Sequence, residues 1–132
     1  MKERDLKIFV VDDDIFTAEV YNQSLKNVGY YDTHYFSNGD SCLEGLYDKP
    51  NIVLLDDEID GESGIATLKQ IKLLDPSIYV IVLSSDRGVK NKLETLQYGA
   101  FDFLIKDKNV CAKIASVIDH ILKISENLRK SI

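Results

Sequence analysis

Long apolar stretches are missing from this chain of 132 residues. Its apolar runs reach about six residues, against the ~20 that a membrane-spanning helix needs. The opening residues 1–14 meet acid after five apolar residues, too short a run for a secretory signal. No anchor is therefore expected within the chain, and a cytoplasmic location is. Cysteine is scarce too. Cys42 and Cys111 lie far apart and form no CxxC pair, which leaves zinc and thioredoxin-like chemistry without support. Two reduced, buried thiols are expected instead. Basic charge is in deficit, with 16 Lys and Arg against 22 Asp and Glu and a formal net charge of -6. Such a field repels phosphate backbones, so the expectation is no direct nucleic-acid contact by this domain. It suits a basic partner patch or a divalent cation. Repeats, low-complexity tracts and interdomain linkers are also missing.

What is present is the composition of an ordinary globular protein, 45% apolar and 29% charged. The length fits one domain. Folding would bury roughly two thirds of the unfolded surface, enough for a core without staples. Five short apolar runs punctuate the chain: Leu6–Val11, Asp32–Phe36, Asn51–Leu55, Ile78–Leu83 and Phe101–Ile105. All but the second are rich in Ile, Val, Leu and Phe without strict alternation, as strands buried on both faces are. Between them the spacing is helical. Ala18, Tyr21, Leu25 and Val28 make one stripe, closed by Gly29. Asn38–Asp48 gives a short helix with Leu43 and Leu46 inward. Gly64–Leu74 carries Ile65, Leu68 and Ile71 and stops before Pro76. Val89, Leu93 and Leu96 form the fourth stripe, ended by Gly99, and the fifth helix begins near Asn109. Strands alternating with helices predict an α/β fold, a doubly wound parallel sheet with helices on both faces. The flavodoxin-like order 2-1-3-4-5 with five helices is the leading topology, by analogy with known doubly wound folds rather than by derivation.

In such sheets ligands bind beyond the carboxyl ends of the strands. Asp12, Asp13 and Asp14 follow the first run, and Asp56, Asp57 and Glu58 the third. Ser84 and Ser85 follow the fourth, and Lys106 the fifth. Singly, each has an ordinary explanation, since strand-end Asp and Ser cap helices and a lone Lys is a solvated charge. Asp14 fits that explanation, or that of an acid in the outer shell of the site. Together they bring carboxylates, a hydroxyl and an ammonium to one mouth. Crowded carboxylates repel, and Mg²⁺ relieves the repulsion with one or two of them plus waters and phosphate oxygens. A carboxylate beside it can attack phosphorus. The metal, a lysine and a hydroxyl then neutralise the phosphoryl oxygens.

These residues resemble the receiver domain of bacterial two-component response regulators, from about Leu6 to about Leu122. KIFVVDDD is similar to the family's first strand with its acidic pair, Asp12 and Asp13. NIVLLDDEIDGESGIATLKQIK is similar to the third strand, the phosphoacceptor and the loop into the third helix. VIVLSSD supplies the switch hydroxyl, and FDFLIK the switch aromatic and the lysine. The resemblance implies that Asp56 accepts a phosphoryl group from a phosphohistidine. The donor would be a sensor histidine kinase or a histidine phosphotransfer protein. It implies Mg²⁺ on Asp13, Asp56 and the backbone carbonyl of Glu58, with Asp12 acting through a bound water. Lys106 and Ser84 would contact the phosphoryl oxygens, and Phe103 would swing inward as Ser84 moves. Glu58 and Asp86 occupy the positions that tune phosphoryl lifetime. Such a domain catalyses its own aspartyl phosphorylation and dephosphorylation without turning over an external substrate. Its readers would be a downstream protein, an output domain outside this chain or a second copy in a homodimer.

The chain departs from the family in three ways. Asp107 follows Lys106 where a proline with a preceding cis bond is usual. Asp60 stands where the loop after the acceptor often has proline. Asp57, Glu58 and Asp60 add acid near the site. Two other readings compete. A degenerate receiver would act by binding alone, against which stands the complete set Asp12, Asp13, Asp56, Ser84 and Lys106. A phosphatase resembling haloacid-dehalogenase hydrolases would use the formal DxD of Asp12 and Asp14, but the usual cap insertion is missing. The last segment, Asn109–Ile132, places Val110, Ile114, Val117, Ile121, Ile124 and Leu128 at spacings of four and three. The expected division is a receiver over residues 1–124 and a helix extension or linker stub over 125–132.

Overall fold

The computed structural model describes residues 5–130. Five parallel strands form one sheet: β1 (Lys7–Val11), β2 (Asp32–Phe36), β3 (Ile52–Asp56), β6 (Tyr79–Ser84) and β7 (Asp102–Ile105), in the order β2-β1-β3-β6-β7. Numbered as five consecutive strands, this is the expected 2-1-3-4-5. The two short strands β4 (Glu58–Ile59) and β5 (Glu62–Ser63) form a separate antiparallel hairpin just after β3. The helices are α1 (Ile15–Asn27), α2 (Gly39–Glu44, continued by a 3₁₀ turn over Gly45–Asp48), α3 (Ile65–Leu74), α4 (Val89–Gln97) and α5 (Val110–Lys130).

Alternate strand residues point to opposite faces, and both faces are covered. Ile8, Val10, Ile52, Leu54, Ile81 and Leu83 meet α1 and α5 through Tyr21, Leu25, Ile114, Ile118 and Ile121. Phe9, Val11, Val53, Leu55, Val80, Val82 and Phe103 lie on the other face, with Cys42 of α2, Leu68 and Ile71 of α3, and Leu96 of α4. Double burial is why four of the strands read as continuous apolar runs. The edge strand β2 is only half-buried, and its sequence signal is correspondingly weak.

Helix starts follow capping chemistry. Asp14 accepts from Phe16 N at 3.0 Å to cap α1, and Asn38 accepts from Ser41 N at 2.8 Å to cap α2. Gly29 takes φ of 99° just past α1, as its C-terminal role requires. Gly64 is a different case. A Cβ there would lie 2.5 Å from the backbone oxygen of Asp56, so only glycine lets α3 start this close to the end of β3.

Three residues assigned to inward stripes face solvent. Val28 is 45% exposed, Val89 68% and Leu93 61%. Val28 is the C-cap of α1, where the helical path is already ending. α4 is turned so that Thr95 is its buried residue, with Asn91 and Leu96 half-buried beside it. A threonine thus occupies the core position, and its Oγ1 is buried with no hydrogen-bond partner. Replacing Thr95 with valine keeps the shape and removes that unpaired hydroxyl. The variant is expected to gain about 1 kcal/mol in a urea unfolding measurement.

α5 runs unbroken past residue 124, so no break in the helix marks the expected domain division. Residues 131–132 of the expected extension lie outside the described residues. Ile118, absent from the expected stripe, is fully buried, while Val117 is half-buried. No helix among the described residues is long and apolar enough to cross a membrane. Cys42 is fully buried and its thiol is pushed up to about 12 by desolvation, whereas Cys111 is half-buried; both are free.

Candidate functional site

Strand register brings the candidate residues together. Val11 pairs with Leu55, so Asp12 and Asp56 emerge side by side from β1 and β3. Asp56 pairs with Leu83, which sets Asp57 opposite Ser84. Ser84 pairs with Ile105, leaving Lys106 as the next residue out. Carboxylate oxygens of Asp12, Asp13 and Asp56 all lie within 4.8 Å of one another, close enough to share one metal ion.

Lys106 Nζ donates to Asp56 Oδ1 at 2.8 Å and lies 4.0 Å from Asp12 Oδ2. Glu58 N approaches the same Asp56 Oδ1 at 3.5 Å. Both contacts engage Oδ1 of Asp56 rather than Oδ2. Burial raises the Asp56 carboxyl above the ordinary carboxylate range, and Lys106 opposes that rise. Asp12 is 2% exposed. Its carboxyl is pushed up to about 6, mainly by desolvation, against the hydrogen bond that Oδ1 accepts from Asp14 N at 2.8 Å. Its Oδ2 is buried without a hydrogen-bond partner. A hard cation would satisfy that atom, and the three-carboxylate set is an oxygen donor set of the kind Mg²⁺ takes. The residues present therefore fit the metal.

The peptide between Lys106 and Asp107 is trans, like every other described peptide bond. Lys106 reaches Asp56 nonetheless, because its backbone N–H is held by Ser84 O at 2.8 Å. Asp107 takes a structural role in place of proline. It accepts from Asn109 N at 2.9 Å and pairs with Lys113 Nζ at 2.7 Å, fastening the start of α5.

Other expected site residues fall into place differently. Asp14 is exposed and engaged in capping α1, with Thr17 Oγ1 also on its Oδ2 at 3.0 Å. Those bonds hold its carboxyl below the usual range and leave the DxD phosphatase reading without its second acid. Ser84 is fully buried, but its hydroxyl donates to Asp57 Oδ2 rather than toward Asp56. Phe103, expected to swing inward, is already inside at 4% exposure. β7 points it at the apolar face shared with α2 and α3. Asp86 Oδ1 accepts from Gly88 N at 2.7 Å in the loop before α4, and the Glu58 side chain is exposed.

Three features escaped the sequence reading. The loop after Asp57 closes as a two-residue hairpin with Asp60 at φ 52° and Gly61 at φ 79°. The Asp60-Gly61 pair is a strong hairpin signal, and it was legible. Asp60 N then donates to Asp13 Oδ2 at 2.8 Å, tethering the hairpin to the acidic pair. Tyr35 reaches from β2 to donate to the Asp12 backbone oxygen at 2.8 Å. Asp57, read only as extra acid, also accepts from Asn91 Nδ2 of α4 at 3.1 Å. No local pattern announces the last two contacts, because both partners are distant in sequence.

Comparison with known proteins agrees with this geometry. Residues 8–118 match the response regulator receiver domain family. The chain is 36% identical over 107 residues to the transcriptional regulatory protein ZraR of Escherichia coli O157:H7, covering 80% of this chain and 24% of that protein. It is 35% identical over 111 residues to the DNA-binding transcriptional regulator NtrC of Escherichia coli K12, covering 83% and 24%. The chain thus spans about a quarter of the length of these curated relatives. As they are named transcriptional regulators, and one of them DNA-binding, they lend no support to the expectation of no direct nucleic-acid contact. Among solved structures, the signal receiver domain of a putative LuxO repressor protein from Vibrio parahaemolyticus superposes with a TM-score of 0.84. The two are 25% identical, over 94% of this chain and 95% of that one. Fold, strand-end constellation and relatives agree, and this chain belongs to the response regulator receiver domain family.

Proposed function

We propose that this domain is a phosphorylation-activated switch of a two-component relay, with Asp56 as the residue that takes the phosphoryl group. The observation that carries the reading is the buried Asp56 carboxylate, held by Lys106 at 2.8 Å within reach of Asp12 and Asp13. Asp12, Asp13 and Asp56 would hold Mg²⁺, with the Glu58 backbone carbonyl as a further oxygen. When bound, the ion supplies positive charge against the phosphoryl oxygens.

Oδ2 of Asp56 attacks the phosphorus of a phosphohistidine. The new bond is O–P, the P–N bond breaks, and its electron pair leaves with the imidazole of the donor. Lys106, already on Oδ1, favours the ionised form of Asp56 against the effect of burial and then stands beside the phosphoryl oxygens. Ser84 supplies a second donor once its hydroxyl turns from Asp57. Water later hydrolyses the acyl phosphate and restores Asp56, so the domain acts on itself and turns over no external substrate. Donors would be a sensor histidine kinase or a histidine phosphotransfer protein. Residues 1–124 serve as the switch, with residues 125–132 as a helix extension or a linker stub.

Glu58 and Asp86 flank the path of that water. Glu58→Ala is expected to change the decay rate of the phosphorylated form several-fold without abolishing uptake, because its side chain is exposed at the mouth and holds nothing in place. A decay time course checks this, and an unchanged half-life removes Glu58 from the role.

The experiment that tests the reading is intact mass after incubation with acetyl phosphate, with Mg²⁺ or with chelator. A single hydroxylamine-labile phosphoryl adduct, dependent on Mg²⁺, is expected. If no adduct forms, and Mg²⁺ with beryllofluoride leaves the protein unchanged, the domain acts by binding alone.

A further inference from the structure

Asp57 makes contacts that uptake by Asp56 does not require. Its backbone N–H donates to Leu83 O at 3.0 Å, which fixes it across from Ser84. Its Oδ2 accepts from the Ser84 hydroxyl and from Asn91 Nδ2 at 3.1 Å. Ser84 Oγ in turn accepts from Asp86 N at 2.9 Å. A serine hydroxyl has one proton, and here Asp57 holds it. Ser84 therefore has none to offer a phosphoryl group on Asp56 until the Asp57 contact breaks.

The same carboxylate oxygen ties down α4. That helix is lightly held, with Val89 and Leu93 in solvent and an unpaired hydroxyl on its buried Thr95. Asn91 links its first turns to the end of β3. Phe103 is already buried in this structure, away from that junction in its packing. The junction of Ser84, Asp57 and Asn91 is held by two side-chain hydrogen bonds on one carboxylate oxygen.

We propose that Asp57 is a resting-state latch, a positioning residue that holds the switch hydroxyl and α4 together and opposes phosphoryl binding until released. The proposal rests on the reading of Asp56 as phosphoacceptor. A phosphoryl group there brings up to two negative charges and strong acceptor oxygens next to Ser84. It competes with Asp57 for one proton, and the winner decides whether Asn91 and α4 stay in place.

The test is the affinity of the whole chain for beryllofluoride with Mg²⁺, measured by calorimetry. Asp57→Ala is expected to bind about tenfold more tightly, the size of one charge-assisted hydrogen bond no longer broken on binding. Asp57→Asn keeps an oxygen that Ser84 can donate to, and is expected to gain less. In a Ser84→Ala background the difference between alanine and asparagine at position 57 is expected to vanish. Hydrogen exchange of the α4 amides is expected to quicken in Asp57→Ala without any ligand. Equal gains from alanine and asparagine, or the same difference without Ser84, would mean that only charge was removed, and would overturn the latch. Weaker binding by Asp57→Ala would overturn it as well. A wild-type protein that binds no beryllofluoride would instead contradict the phosphoacceptor reading, and the latch with it. Should Asp57→Ala not fold, Asn91→Ala on the half-buried helix face carries the test. Faster α4 exchange and tighter binding support the latch, and unchanged values for both overturn it.

Discussion

Replacing Lys106 with alanine is expected to slow phosphoryl uptake from acetyl phosphate by about 10²–10³-fold, the cost of losing one aimed donor at a developing charge. The reason lies in the short contact of its ammonium with Asp56. Lys106 Nζ sits 2.8 Å from Oδ1 of a carboxylate that is 5% exposed. Without it, burial raises the Asp56 carboxyl further, the attacking group holds its proton longer, and nothing in its place answers the charge of the phosphoryl oxygens. Stability responds with a defined sign. A carboxyl whose pKa rises on folding binds protons more tightly in the native state, so stability falls as pH rises through the window between its unfolded and folded values. The deficit of Lys106→Ala against wild type is therefore expected to be small in acid and to grow toward neutral pH. Initial uptake rates and urea midpoints across pH check both parts. Wild-type rates in the alanine variant would remove Lys106 from the chemistry.

Replacing Asp12 with asparagine is expected to do the opposite to stability. Its folded carboxyl lies at about 6, against an ordinary 3.8, with desolvation as the main cause. Wild-type stability is therefore lost as pH rises from about 4 to about 6, and the loss is complete above that. Asparagine can still accept from Asp14 N and carries no charge. The variant is expected to be about 1–3 kcal/mol more stable than wild type at pH 7, and to show no such advantage near pH 4. The gain comes at the expense of the metal. Mg²⁺ is expected to raise the melting temperature of the wild type at pH 7 and to move the variant little. A variant less stable than wild type at pH 7 would show that Asp12 is better compensated than the missing hydrogen-bond partner of its Oδ2 indicates.

How much of this was legible in the sequence divides along physical lines. Four strands stood out to within a residue or two because strands buried on both faces must be apolar throughout, as Ile52–Leu55 and Val80–Leu83 are. The site was legible for a related reason. Strand ends in a parallel sheet share one edge, so Asp12, Asp56, Ser84 and Lys106 could be brought together before any register was known. α4 departs from expectation because Val89 and Leu93 have the right spacing for a buried stripe, whereas the helix buries Thr95 instead. Periodicity identifies a helix but does not say which of two adjacent faces turns inward when apolar residues are few. The hairpin at Asp60-Gly61 is legible from that residue pair alone. The partners of Asp57 were not legible, because Ser84 and Asn91 meet it only through the β3–β6 register and the placement of α4.

The position of the phosphoryl group tests the central claim most directly. Phosphorylated protein would be reduced with borohydride, which converts an acyl phosphate on aspartate to homoserine, and the modified residue would be located by peptide mass spectrometry. Homoserine at position 56, absent from Asp56→Asn treated in the same way, is the expected result. Homoserine at position 12, 13 or 57, or an adduct that persists in Asp56→Asn, would contradict it.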